Sequence, residues 1–494
     1  MQYNCPVHES WNIVHIGSLL PESHAIYVCG DNCLRGVVMT AAEMGLTPRF
    51  SALMPTEAEI RDGRLEEVTI RGTANLIRKL PYRPRAVLLF LVCMHHMVGA
   101  DENYIFCTLE REFPDICFLR CWMDPAMQKL GPSPDMKLRR EMLSPLKAGK
   151  LPKASEGAAQ ENFVALVSDN LALPEDSTLA QIFRALGISF RQPQDCRSFS
   201  EYQSIGRAAL FLTRSPAACF GLRKFTAEEK KDGMYLPVKL GYEDIREMLQ
   251  NLLEKLRQCG LLSQQTKALS ETVTEEQTEF ASAAKVGFME DIQAWLTDFC
   301  RREEAACEAA FAALPDFLYR TEISLDGVGI LQPLSAARLL LEHGLSVKRI
   351  YLDAVLPEEE RELQWLKEHA PETEILSVSD VRAFNRARSV AVRHGCGAET
   401  ASAGEPLRLA LGPVAAFYED TAYFVNQIEN RGAWGYQAIR QLLRDMTEAC
   451  SEEKSAEELV QRKGWGLPSL VEPLPGGSHG FAERSALIGV PRKG

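Results

Sequence analysis

The chain has 494 residues, a net charge of -12, 46% apolar residues and 25% charged residues. That length exceeds what one hydrophobic core organises, so roughly two to four domains are expected of a soluble globular chain. The acidic balance argues against a general nucleic-acid or membrane-surface partner. No apolar run approaches the roughly 20 residues needed to span a bilayer. The N-terminus offers no basic, apolar, cleavable segment, so the expected localisation is cytoplasmic.

In chain order the pattern is apolar strand, loop, amphipathic helix, repeated. AIYVC leads into LRGVVMTAAEMG, and AVLLFLV into ENYIFCTLEREFP. The polar stretch ASEGAAQEN marks a boundary. NFVALVSD, STLAQIFRALG, ISFRQ, SEYQSIGRA, ALFLT, YLPVKL and the long helix EDIREMLQNLLEKLRQCG then form a second unit. Residues 263–314 carry no strand signal and read as helices. EISLDGVGI, PLSAARLLLEHG, VKRIYLD, PEEERELQWLKEHA and EILSVS make a third unit. The sequence from about Leu407 reads as helical, and the Gly- and Pro-rich end as an extended tail.

The expected fold class is α/β: three tandem Rossmann-like domains with parallel sheets around a shared cleft, plus a helical segment between the second and third. The expected bounds are 1–155, 156–262, 263–314, 315–450 and a tail over 451–494. Gly327-Val328-Gly329 is a lone GxG and no GxGxxG has the right flanks. No GxxxxGK[ST] occurs, so any ATP used by this system is hydrolysed on another chain.

The chain has 14 cysteines. With no export signal they are expected as buried thiols, metal ligands or redox groups. Cys107, Cys117, Cys196, Cys259, Cys300, Cys307 and Cys450 lie in helix- or strand-like contexts and read as small buried hydrophobes. Cys93 is different. Ala86 to Val92 is wholly apolar, as a parallel strand buried on both faces requires. Cys93 ends it, followed by a turn with His95, His96, Gly99 and Asp101. Ligands of open α/β sheets sit outside the carboxyl ends of strands. Cys5, in NCPVHES, and Cys33, just after the strand-like AIYVC, occupy similar positions.

The order and spacing of these pieces resemble the nitrogenase component 1 superfamily over about residues 1–450. NCPVHE is similar to its first cluster-ligand motif, IYVCGDNCLRG to its strand–HGxxGC loop, and LLFLVCMHHMVGAD to its third ligand segment. YLPVKLGYEDIREML, LQPLSAARLLLEHGLSVKRIYLD and GPVAAFYEDTAYFVNQIENRGAWGYQAI are similar to later segments. The resemblance implies an iron–sulfur cluster (4Fe–4S or P-cluster-like) held by Cys5, Cys33 and Cys93 at a subunit interface. Cys29 stands where relatives usually have a histidine; it is either a fourth ligand or a buried thiol ending the strand.

The same resemblance implies an ATP-dependent iron protein as electron donor and a dimer, with a second copy or a related subunit. It also implies a second metal centre or an organic substrate in the cleft. Two departures speak against dinitrogen reduction. The family's C-terminal cofactor histidine falls at Trp434, and its second-domain cysteine near Arg214, with Cys219 five residues on.

His95 and His96 are the candidate catalytic residues. Either could donate a hydrogen bond to a cluster sulfur or act as proton donor; the alternative is that His95 caps the turn and His96 is solvated. Cys121 precedes an Asp124-Pro125 turn, and burial is preferred for it. His8 and Glu9 follow Cys5 as supporting groups; His394 and Cys396 form an isolated HxC pair. Asp101 either matches an acidic family position or caps the helix from Glu102. Three functions follow: an iron–sulfur oxidoreductase, a scaffold on which a metallocluster is assembled, or a plain α/β binding protein.

Overall fold

Short apolar runs that can be buried on both faces become parallel strands, and the amphipathic segments between them become the crossovers. The computed structural model describes residues 13–124, 132–150, 161–262, 288–378 and 406–454. Strands β1 (Ser23–Val28), β2 (Phe50–Leu53), β3 (Ala86–Val92) and β4 (Cys117–Met123) form one sheet in the order β2-β1-β3-β4. Strands β5 (Glu161–Leu166), β6 (Ser189–Arg191), β7 (Ala208–Thr213) and β8 (Asp232–Tyr235) form a second, ordered β6-β5-β7-β8. Strands β9 (Glu322–Asp326), β10 (Ser346–Leu352), β11 (Glu374–Ser377), β12 (Arg408–Leu411) and β13 (Tyr423–Val425) form the third, ordered β11-β10-β9-β12-β13. Every neighbouring pair is parallel.

Alternation along the strands decides the layers. Ile26, Val28, Val87, Leu89 and Leu91 pack on one face of the first sheet with Ile70, Ile105 and Phe106 from its helices. Tyr27, Leu88, Phe90 and Val92 pack on the other face, and that core runs on into Phe163, Ala165, Val167 and Phe211 of the second sheet. Val164, Leu166, Leu210 and Leu212 then share a core with Ile323 and Leu325 of the third. The three sheets are therefore tied by common apolar cores.

Tyr27 is stacked between Phe50, at 4.8 Å, and Phe90, at 4.2 Å. Such pairs add about 0.5–1.5 kcal/mol each beyond area burial, and they lock β1 between its neighbours two residues before Cys29.

Within the helical segment read from the sequence, Phe288–Ala312 is one continuous helix. It packs on the helix Tyr436–Ala449: Arg440 Nη2 donates to Glu303 at 2.8 Å and the Tyr436 hydroxyl to Glu304 at 2.9 Å. The sequence from Leu407 is not helical throughout. Arg408–Leu411 and Tyr423–Val425 are strands that extend the third sheet. Both are too short to show a period; β12 is placed by pairing with β9 and β13 by pairing with β12, not by a local signal.

Candidate functional site

In the first sheet the chain passes from β1 to β2 on one side and returns to β3 on the other. The crevice between the carboxyl ends of β1 and β3 is therefore the topological switch point, where open α/β sheets bind ligands. Cys29 follows β1 directly and Cys93 follows β3 directly. The pairing of Tyr27 with Phe90 sets the two strand ends level. Cys33 lies in the first turn of the helix Asp31–Glu43, over the same crevice.

Cys33 lies within electrostatic reach of both Cys29 and Cys93. Burial pushes the Cys29 thiol up to about 12, with Cys33 and then Asp31 adding to the shift. Cys33 is raised by burial and then by Cys93. Neighbouring thiols oppose each other's ionisation in this way, and a bound cation reverses it, because metal ligation deprotonates thiols. Cys33 is exposed and Cys93 half-buried, whereas Cys29 is fully enclosed in the apolar core below them. Among the described residues no group of three or more His, Cys, Asp or Glu side chains is arranged to hold a metal ion. Cys5, His8, Glu9, His394 and Cys396 lie outside the described residues.

The two histidines separate. Cys93–Met97 is a short helix, not an open turn. His95 points inward, 1% exposed. Val92 N–H donates to its Nδ1 at 3.3 Å and its Nε2 lies 3.3 Å from the Thr69 hydroxyl. Burial lowers its pKa to about 4, with Val92 raising it less and His96 lowering it. His95 therefore ties the strand end to its helix and does not face the thiols. His96 faces outward; its Nε2 lies 2.9 Å from Asp124 Oδ2 and its ring is stacked on Trp122 at 4.0 Å. Asp101 caps the next helix, accepting from Tyr104 N–H at 2.9 Å.

The other two sheets also have switch points, and both are plugged. Between β5 and β7, Asp169 accepts from Arg214 N–H at 2.8 Å, Ser215 N–H at 3.1 Å and Arg214 Nε at 2.9 Å. Between β9 and β12, Asp326 accepts from the backbone N–H groups of Val328, Gly329 and Ala415 at 2.9, 2.7 and 2.8 Å. Burial still raises Asp326 to about 6, against those hydrogen bonds. Among the described residues, the first switch point differs in having a thiol directly after each of its two strands, Cys29 and Cys93.

The positions aligned with a second metal centre do not fit one. Trp434 is buried and donates its indole N–H to Pro237 O at 2.9 Å. Arg214 is buried and gives its remaining donors to Gly432 O and Leu171 O. The Cys219 thiol is pushed up to about 11 by burial and then Glu358, and bonds Ser215 O at 3.7 Å. These side chains peg the fold together.

Where the three sheets meet, Glu429, Asn430 and Arg431 all have left-handed backbones (φ 46°, 53° and 53°), followed by Gly432 at φ 76°. Non-glycine residues in that region cost about 1–3 kcal/mol each. The turn is held by Glu429 N–H on Val328 O at 2.7 Å and Asn430 N–H on Gly329 O at 3.0 Å. A Cβ at Gly432 would lie 2.2 Å from Ala172 O. Gly432→Ala is therefore expected to lower the thermal midpoint sharply and to loosen the contact between the second and third sheets, read by limited proteolysis.

Half-buried Glu429 accepts from Asn170 Nδ2. Burial raises its carboxyl to about 7, opposed by Arg139 and reinforced by Asp169 and Asp135. A raised folded pKa means stability that is full below the ordinary value of 4.5 and lost as pH rises through about 7. Glu429→Gln should remove that loss, so its denaturation midpoint should gain on wild type across that window.

Sequence reasoning placed the strand-end cysteines but missed Arg139, Asp169, Glu429 and Lys137 as partners. Asp169 had a usable signal: it ends NFVALVSD just as Cys93 ends AVLLFLV. The others pair across elements, as when Arg139 Nη2 donates to Asn170 Oδ1 at 3.0 Å.

No protein-family model matches the chain, and no curated protein matches it. Among solved structures it is similar to nitrogenase Cp1 at pH 6.5, with a TM-score of 0.56 and 12% identity, covering 88% of this chain and 91% of that one. Nitrogenase Cp1 at pH 5 also matches, at TM-score 0.48 and 10% identity, covering 94% and 89%. At that identity the first likeness establishes a shared fold: a nitrogenase-like arrangement of parallel α/β units. No helix among the described residues is long and apolar enough to cross a membrane.

Proposed function

We propose that this chain is a nitrogenase-like iron–sulfur oxidoreductase component. Cys33 and Cys93 hold the cluster with Cys5, and Cys29 is the fourth candidate ligand. The observation that carries this is the contrast between switch points: two are sealed by aspartates that cap backbone amides, and the first presents thiols to the crevice. The nitrogenase-like fold supports the same choice. A bound cluster supplies one-electron storage; the chain supplies thiolates, burial and hydrogen-bond donors that tune it. Electrons come from a separate ATP-dependent iron protein, and the protein works as a dimer with a second copy or a related subunit. His96 is the proton donor at this site; His95 serves the turn.

Trp434 and Arg214 support a cleft without a homologous second metal centre, so the electrons go to an organic substrate or to a different metal centre there. The second function is a scaffold that assembles a metallocluster and hands it on. Mixing iron-loaded protein with apo-ferredoxin and separating the two by gel filtration distinguishes them. Iron that stays on this chain supports the oxidoreductase; iron that moves to the ferredoxin establishes the scaffold.

A further inference from the structure

We propose that Asp124 is a positioning residue that fixes the His96 imidazole with Nε2–H held inward and Nδ1 presented outward as its proton-exchanging atom. The inference deepens the proposed cysteine site, on which His96 is the proton donor.

The sheet places the pair. Val92 pairs with Met123, so Cys93 and Asp124 leave neighbouring strands at the same level. Cys93 and His96 are three residues apart on one short helix and so share a face, with Cβ atoms about 5–6 Å apart. Asp124 is fully buried. Its Oδ2 takes His96 Nε2 at 2.9 Å and Lys137 Nζ at 3.0 Å.

An ionised carboxylate only accepts, so the hydrogen in the first contact belongs to Nε2 in the neutral imidazole and in the imidazolium alike. The ring plane is fixed separately. It lies 12° from that of Trp122, with centroids 4.0 Å apart, and the Lys137 ammonium sits 5.7 Å over the same indole. Carboxylate and indole together leave the ring no second orientation. Nδ1 has no described partner, and the His96 side chain is 28% exposed.

Asp124 keeps one oxygen outside these contacts. Its Oδ1 is buried with no hydrogen-bond partner among the described residues. A carboxylate oxygen left without a donor costs free energy, and Asp135 Oδ1 of the Asp135–Arg139 pair is left in the same way. The exchange itself is simple: a proton adds to Nδ1 and later leaves from Nδ1. Nε2–H stays on Asp124 throughout, and the transient positive charge rests beside that carboxylate.

The test is NMR of full-length protein labelled with 15N-histidine, with His96 assigned by His96→Gln. Wild type should show a protected Nε2–H on His96 and a bare Nδ1. In Asp124→Ala that resonance should be lost or exchange with solvent at least about tenfold faster, as expected for loss of a hydrogen bond to a charged group. Lys137→Met, which leaves the Asp124–His96 contact in place, should keep it.

Nδ1–H in wild type, or an Nε2–H equally protected in Asp124→Ala, would overturn the proposal. Loss of the signal in Lys137→Met would overturn it too, since the ammonium would then be holding the site. The ring state is read with or without iron bound. An iron-free protein with a fixed Nε2–H removes the cluster and leaves the role of Asp124 standing; an iron-loaded protein with a freely exchanging ring does the reverse.

Discussion

Replacing Cys93 by alanine is expected to strip iron from anaerobically purified protein while the fold stays intact. Cys93 begins a short helix at the end of a fully buried strand, and its side chain is half-buried at the surface of the crevice. Its removal leaves no core cavity, so the stability change should stay within about 1 kcal/mol. Iron should fall from about four per cluster to background, because a cluster held by few thiolates does not survive the loss of one. Cys33→Ala should behave alike, since the exposed Cys33 thiol is electrostatically coupled to Cys93.

Cys29→Ala separates two roles. A ligand would take the iron with it. A packed thiol would leave the iron in place and cost about 1 kcal/mol for a methyl-sized void in the core. Iron and sulfide assays beside thermal melts of the three variants read all of this. Iron retained in Cys93→Ala would remove that residue from the ligand set.

The second large effect is on stability. Arg214→Met should cost about 3–5 kcal/mol, because it leaves buried Asp169 without its charge partner. It also frees Gly432 O and Leu171 O, which Arg214 ties to the second sheet. The double variant Asp169→Asn with Arg214→Met should recover part of the loss, since neither charge then stays buried alone. Urea-denaturation midpoints of the two singles and the double measure this. A single variant as stable as wild type would show that the plug at this switch point carries no weight.

The parallel α/β fold was legible because strands buried on both faces leave short, wholly apolar runs such as Ala86–Val92, alternating with amphipathic helices. Cys93 was legible for the same reason: it ends such a run. Residues 408–411 and 423–425 were not, because strands of four and three residues carry no period of their own; the first is recruited by β9 and the second by the first. The split between His95 and His96 was also hidden. Adjacent residues on a helix point about 100° apart, and only the position of Thr69 on one side and Asp124 on the other shows that His95 turns inward and His96 outward. The left-handed turn at Glu429–Arg431 gave no signal, since two of its three residues are not ones that favour φ > 0.

The central claim is that the first switch point holds an iron–sulfur cluster. Its most direct test is iron and acid-labile sulfide on anaerobically purified or reconstituted wild-type protein, with low-temperature EPR before and after dithionite. The account predicts equal iron and sulfide, about four of each per cluster, and an EPR signal that changes on reduction. Protein that stays free of iron after anaerobic reconstitution, with no reducible signal, would contradict it and leave the crevice thiols as packing groups.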